Sequence, residues 1–135
     1  MGVSTTPDPS WLVTDLFERA RTLAAAIAAP VGDPTTRRNL TTQALDLQRR
    51  CTALTAQAVP VRRRHRPRVD GALGRLSDAV DDLAAVVLMG CADAAHGRRR
   101  LECDVEALVG RIGERHDYVV GLLRRTGARR TYTTP

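Results

Sequence analysis

The amino-acid sequence predicts an all-α protein, an antiparallel up-down-up-down four-helix bundle. Apolar residues make up 43% of the 135 residues, but aromatic residues only 3%. Ala, Leu and Val supply most of the apolar content, whereas sandwiches and barrels depend on β-branched and aromatic side chains. Four stretches repeat apolar residues every three or four positions, which is the helical period. Short links rich in Pro and Gly separate them, and such links favour antiparallel neighbours.

The first predicted helix begins at Trp11, with Ser10 as its N-cap. Residues 1–9 before it are rich in Thr and Pro and are predicted to form a disordered lead. Pro30-Val31-Gly32 ends the helix. Its apolar stripe is expected at Leu12, Leu16, Ala20, Leu23 and Ile27.

Asp33-Pro34 predicts the start of the second helix. Asp is a good N-cap, and Pro is favoured at the first helical position, where its missing N–H would be unpaired anyway. Pro60 ends the helix. The expected stripe is Leu40, Ala44, Leu47, Cys51, Leu54 and Ala58.

The third predicted helix starts at Pro67 or Asp70. Its stripe has the spacing of a heptad seam, alternately four and three residues. His96-Gly97 forms a tight turn after it, which makes the next helix antiparallel. The expected stripe is Val69, Leu73, Leu76, Val80, Leu83 and Val87.

The fourth predicted helix runs from about Arg98 to Arg125, and Arg115 or His116 interrupts its stripe. The bundle therefore covers residues 10–126, and residues 127–135 form a flexible tail. The link between the second and third helices is expected at the end of the bundle opposite the chain start and the other two links. The apolar residues of the fourth stripe are Leu101, Val105, Leu108, Ile112, Val119 and Leu122.

Charge is concentrated in one short segment. The formal net charge is +6, and every one of the 21 basic residues is Arg, a side chain that is always charged and grips phosphate in a bidentate fork. The densest cluster carries five arginines in seven residues around Pro67. We call this cluster the basic segment, and it consists of Arg62, Arg63, Arg64, Arg66 and Arg68.

The basic segment predicts binding to the phosphate backbone of nucleic acid. It lacks interleaved aromatic residues, so base stacking is not expected from it. The alternative interpretation is a solvated loop that keeps the protein soluble. Further arginines are candidates for the same surface at the start of the second helix and before the fourth: Arg37, Arg38, Arg98, Arg99 and Arg100.

Sequence patterns for catalysis are missing, so we expect a non-enzymatic protein without cofactor or metal. The chain contains no Glu-x-x-His pair, phosphate loop or nucleophile elbow. Cys91, His96 and Cys103 match no common zinc spacing. Cys51 and Cys91 fit the apolar stripes. The odd number of cysteines and the polar N-terminus predict a cytoplasmic protein with reduced thiols. Three aspartates of the third helix form an acidic strip, either a docking surface or a partner for Arg elsewhere: Asp78, Asp81 and Asp82.

The order of features also resembles a known family. Pro34 to Leu40 is similar to the Pro-x-x-x-Arg-x-x-Leu start of a long second helix, and Leu108 to Gly113 is similar to the Ile-Gly-Arg pattern of a last helix. Both belong to the four-helix proteins of the ribosomal intervening-sequence type, among which the chain most resembles the accessory variability determinant (Avd) of diversity-generating retroelements. The chain departs from the pattern near its end, where Tyr118 or Val119 stands in place of a Trp.

The resemblance implies a barrel-like homopentamer whose basic surface binds a reverse transcriptase and its RNA template. Only basic-surface positions carry over: Arg37, Arg38, Arg62, Arg63, Arg64 and Arg66. The leading hypothesis is thus a homo-oligomeric accessory protein that binds nucleic acid, RNA rather than DNA, together with a reverse transcriptase. The alternative is an adaptor bundle that binds an acidic protein partner without nucleic acid.

Overall fold

The computed structural model describes residues 9–27, 33–56, 61–95 and 102–126, and these form an antiparallel up-down-up-down four-helix bundle, as predicted. The helices and one short 3₁₀ turn follow in chain order: α1 Pro9–Ala26, α2 Pro34–Ala56, the 3₁₀ turn Arg63–His65, α3 Arg66–Ala95 and α4 Glu102–Arg125. Within these ranges no helix is long and apolar enough to cross a membrane. The predicted lead up to residue 8, the tail from residue 127 and the turn at His96-Gly97 lie outside the described residues.

Each helix packs against the next one in the chain, and α4 returns to α1. Contacts between distant residues establish the antiparallel order. Ser77 Oγ on α3 donates to the carbonyl oxygen of Cys51 on α2, at 3.2 Å. Thr14 Oγ1 on α1 lies 3.0 Å from His116 Nε2 on α4.

The expectation for the chain start was wrong. Asp15 of α1 pairs with Arg50 near the end of α2, at 3.7 Å, so the first turns of α1 lie beside the last turns of α2. The basic segment comes between α2 and α3 in the chain, and it therefore lies at the same end of the bundle as the start of α1. Four antiparallel helices require this arrangement, because the first helix starts where the second one ends.

Three of the helices begin at a proline or one residue before it. Asp33 Oδ2 accepts from the backbone N–H of Thr36 at 3.2 Å and from its hydroxyl at 3.1 Å, which confirms the predicted N-cap of α2. α1 begins at Pro9 rather than Trp11, since proline fits the first helical position. Pro67 lies in the first turn of α3, one residue after its start.

The core confirms the predicted stripes of α2, α3 and α4 wherever those residues are described. In α1 the prediction was partly wrong: Val13 is fully buried, whereas Leu12 and Ile27 are only partly buried beside the core. α1 carries apolar residues on two overlapping stripes, and contact with α2 and α4 selects the one through Val13.

His116 is the polar residue that interrupts the α4 stripe. Its ring stacks on Phe17 with centroids 4.6 Å apart, and its Nδ1 lies 3.0 Å from Asp117 Oδ1. Together with the Thr14 contact, these partners satisfy both ring nitrogens at the edge of the α1–α4 interface. His116 therefore has a structural role in joining α1 to α4.

Candidate nucleic-acid interface

The basic segment consists of one extended residue, a short 3₁₀ turn and the first residues of α3. Arg62 has extended backbone, with φ −62° and ψ 148°. The backbone N–H of His65 then donates to the carbonyl oxygen of Arg62 at 2.9 Å, and Arg66 continues directly into α3. A 3₁₀ turn has three residues per turn, so consecutive side chains point about 120° apart. The guanidinium groups of the segment therefore point in different directions at one end of the bundle.

Most of these guanidinium groups lack an acidic partner. Arg62, Arg63, Arg64 and Arg68 are exposed, and within the described ranges none of them pairs with a carboxylate. Arg64 Nε donates to His65 Nε2 at 3.3 Å. The N-terminus of α3 adds the positive end of its helix dipole at the same place. The site is therefore strongly positive and open to solvent.

Four other arginines, all on α1 and α2, pair with carboxylates: Arg19, Arg21, Arg49 and Arg50. Arg50 Nε lies 2.8 Å from Asp46 Oδ2, and this hydrogen bond is the main reason why the pKa of Asp46 is lowered. Arg50 also reaches Asp15 of α1, which accepts at 2.9 Å from Arg19. Exposed pairs of this kind contribute little to stability, but they neutralise the arginines. Arg62, Arg63, Arg64 and Arg68 differ from these four arginines, because none of them has a carboxylate partner in the part of the chain that the structure describes.

The structure does not bring all the predicted site residues together. Arg37 and Arg38 lie in the first turns of α2, at the opposite end of the bundle from the basic segment. The helical rise of 1.5 Å per residue separates them from the end of α2 by roughly 25–30 Å. Residues 98–100 lie outside the described residues. The candidate interface consequently consists of the basic segment alone among the predicted arginines.

A groove that the sequence analysis missed opens beside the basic segment. It has a volume of about 420 Å³, and its lining comes from the facing edges of α3 and α4. Arg115 Nη1 donates to the carbonyl oxygen of Arg75 at 2.7 Å across these edges. The sequence shows the spacing of the arginines along each helix. It does not show that these edges of α3 and α4 face each other. The lining residues are Ala72, Arg75, Glu114, Arg115 and Tyr118.

Cysteine and acidic side chains meet between α2 and α3. Burial raises the pKa of the Cys51 thiol to about 12, so this thiol stays protonated and is unsuited to nucleophilic or metal chemistry. Cys51 and Cys91 are both buried, which confirms their prediction as core residues. The described residues contain no group of three or more potential metal ligands, while His96 and the side chain of Cys103 fall outside them.

The acidic strip of α3 makes no ion pair with any arginine in the ranges that the structure describes. Burial, followed by the nearby carboxylates of Asp78 and Asp82, raises the pKa of Asp81 above its ordinary value. A hydrogen bond with Cys51 acts in the opposite direction. The charged form of Asp81 is therefore less favourable in the folded protein than in the unfolded chain.

We expect Asp81→Asn to stabilise the protein at neutral pH. A folded-state pKa above the unfolded value means that Asp81 contributes stability below its unfolded pKa of about 3.9 and loses it as the pH rises through the folded value. The free energy of unfolding, measured by urea titration, should therefore be higher for Asp81→Asn at pH 7 and converge with that of the wild type in acid. Glu106→Gln, which removes a carboxylate at an exposed site on α4, is the control for the loss of one negative charge. A variant less stable than wild type at pH 7 would contradict the inference.

The bundle alone does not select a function, because four-helix bundles host many unrelated activities. The resemblance described above rests on patterns within the sequence. The features of the molecule that bear on function are therefore the charge and geometry of the basic segment and of the groove beside it. Comparisons of the chain with protein-family models, with curated proteins and with solved structures found no match.

Proposed function

We propose that this protein is a non-enzymatic accessory protein that binds the sugar-phosphate backbone of nucleic acid through the basic segment. The proposal extends to RNA as the preferred nucleic acid, to a homo-oligomeric assembly and to a reverse transcriptase as protein partner. The first part is supported by geometry. The other parts are supported by the resemblance to the Avd proteins.

The single observation that carries the proposal is the set of exposed, unneutralised guanidinium groups at one end of the bundle. An arginine that only keeps a protein soluble has no need of clustering. Four arginines of α1 and α2 are, by contrast, paired with Asp or Glu. Closely spaced guanidinium groups match the spacing of charge on a nucleic-acid strand and release its condensed counterions on binding. Because such contacts are made to phosphate, they position the strand without reading its sequence.

Binding to labelled oligonucleotides of unrelated sequence at several salt concentrations tests the proposal. We expect the logarithm of the binding constant to fall linearly with the logarithm of the salt concentration, by about 0.7 per phosphate contact for a single strand. Affinity should vary little between the sequences. Light scattering coupled to size exclusion, after nuclease and high salt, measures the oligomer; the resemblance implies a pentamer.

An adaptor that binds an acidic protein would behave differently. It would bind none of the oligonucleotides at low salt, and its complex with the partner would survive nuclease treatment. That pair of results would overturn the proposal. A monomer that still binds oligonucleotides would remove only the homo-oligomeric part.

A further inference from the structure

The groove between α3 and α4 continues the positive surface of the basic segment. Arg68, Ala72 and Arg75 follow one another at spacings of four and three, which places them on one face of α3. Arg115 and Tyr118 form the opposite wall. The groove therefore leads from the basic segment for about 10 Å along α3, given 1.5 Å per residue.

Positive charge follows the α4 wall as well. Arg111, Arg115, Tyr118 and Arg125 are spaced by four, three and seven residues, so they share the edge that faces α3. The Arg125 side chain extends back along α4 towards Gly121. Its Nη1 lies 3.2 Å from the position that a Cβ at Gly121 would occupy. Its charge thus lies one helical turn from Tyr118.

Acidic residues limit this surface. Glu114 lines the groove, and Asp78 and Asp82 are exposed on α3 beyond Arg75. A polyanion entering from the basic segment therefore meets favourable charge as far as Arg75 and Arg115, beyond which Asp78 and Asp82 on α3 counteract Arg111 on α4. The groove is a short pocket for one end or one kink of a strand, not a track along the whole bundle.

Tyr118 is the exposed aromatic side chain in this positive groove. Its relative exposure is 47%, and in the described part of the chain its ring has no stacking partner and its hydroxyl no hydrogen-bond partner. Phe17, by contrast, is half-buried and stacked on His116. An open aromatic face between guanidinium groups has the chemistry that holds a nucleobase whose phosphates are gripped on either side.

We propose that the groove binds an unpaired base of a single-stranded nucleic acid, with the base stacked on Tyr118 and the adjacent phosphates held by Arg68, Arg75 and Arg125. This inference rests on the proposed function of the basic segment and specifies its substrate as single-stranded. A duplex keeps the faces of its bases inside the stack, where Tyr118 has no access to them. The basic segment alone would grip either form.

The test compares a labelled single-stranded RNA with a duplex of the same length by fluorescence anisotropy. We expect wild-type protein to bind the single strand more tightly. Tyr118→Ala should weaken single-strand binding about 5- to 150-fold and leave duplex binding and the salt slope unchanged. Tyr118→Phe, which keeps the aromatic face, should retain the wild-type affinity.

Trp11→Ala is the matched control, because Trp11 is an exposed aromatic residue in the first turn of α1, at the same end of the bundle as the basic segment but not among the residues that line the groove. It should leave both affinities unaltered. As a second readout, ultraviolet cross-linking of a strand containing 4-thiouridine should attach it to the α4 peptide that contains Tyr118. This result needs no variant and is independent of any effect of substitution on folding.

The outcomes separate this inference from the proposed function. If wild-type protein binds neither strand, the function proposed for the basic segment fails, and the groove inference fails with it. If it binds both strands equally, and Tyr118→Ala changes nothing, the groove inference is overturned while backbone binding stands. Equal weakening of both strands by Tyr118→Ala, without rescue by Tyr118→Phe, also overturns base stacking.

Discussion

Replacing the five arginines of the basic segment by glutamine is expected to abolish most nucleic-acid binding. About five phosphate contacts at a slope of about −0.7 each correspond to roughly a 100-fold loss of affinity between about 50 and 200 mM salt. The variant should lose at least that much affinity at the lower salt concentration, and its salt slope should become shallower by about 3.5, which is about 0.7 for each of the five phosphate contacts removed. Glutamine keeps the length and polarity of the side chains, so the loss reports charge and not packing. Anisotropy titrations at three or more salt concentrations give both quantities.

A charge-matched pair of variants controls for the change in net charge. Changing Arg62, Arg63 and Arg64 to Gln removes the same charge as changing three arginines that are paired with carboxylates: Arg19, Arg21 and Arg49. Only the first variant should lose affinity and salt slope. Equal losses in the two would mean that the strand responds to the total charge of the protein, and the assignment to the basic segment would be wrong.

The second large effect is expected in the core. Leu83 of α3 has no exposed surface, and α3 packs against each of the other three helices. Leu83→Ala should therefore lower the free energy of unfolding by about 2–5 kcal/mol, from lost burial and from the cavity that remains. The free energy of unfolding of a whole domain is typically about 5–15 kcal/mol, so the expected loss is a large share of it. Urea unfolding followed by circular dichroism gives the value.

Leu45→Ala is the control for the core prediction. Leu45 lies on α2 with 50% of its surface exposed, so its truncation should change the free energy of unfolding by less than about 0.5 kcal/mol, as for ordinary surface sites. If Leu45→Ala lowers the free energy of unfolding as much as Leu83→Ala, and the loss grows with protein concentration, Leu45 lies in an interface between copies of the chain. Such a result would support the homo-oligomeric part of the proposal.

The binding variants and the core variants examine separate properties. The basic segment and Tyr118 lie on the surface, and their replacement should leave the unfolding free energy close to that of the wild type. Leu83→Ala, measured where the protein is still folded, should leave the affinity for RNA unaffected. Binding and stability are thus expected to vary independently, because the charged end and the apolar core share few contacts.

Local patterns account for most of the fold prediction. The heptad of α3 and the stripe of α2 are regular, so apolar spacing alone identifies the buried face, and Asp33-Pro34 marks a helix start through its own cap chemistry. In α1 the predicted stripe began at Leu12, whereas the buried stripe includes Val13 instead. Its buried face depends on where α2 and α4 lie, and no local pattern contains that information.

The sequence by itself determined the four helices, their antiparallel order and the basic segment, because these depend on periodicity, caps and charge within a few neighbouring residues. The tertiary structure decided which charges meet. It separated Arg37 and Arg38 from the basic segment by the length of α2, and it brought Arg75 next to Arg115 and Tyr118, some forty residues away in the chain. The physical reason is that a groove exists only between two packed helices, whose facing edges are set by the burial of their apolar stripes.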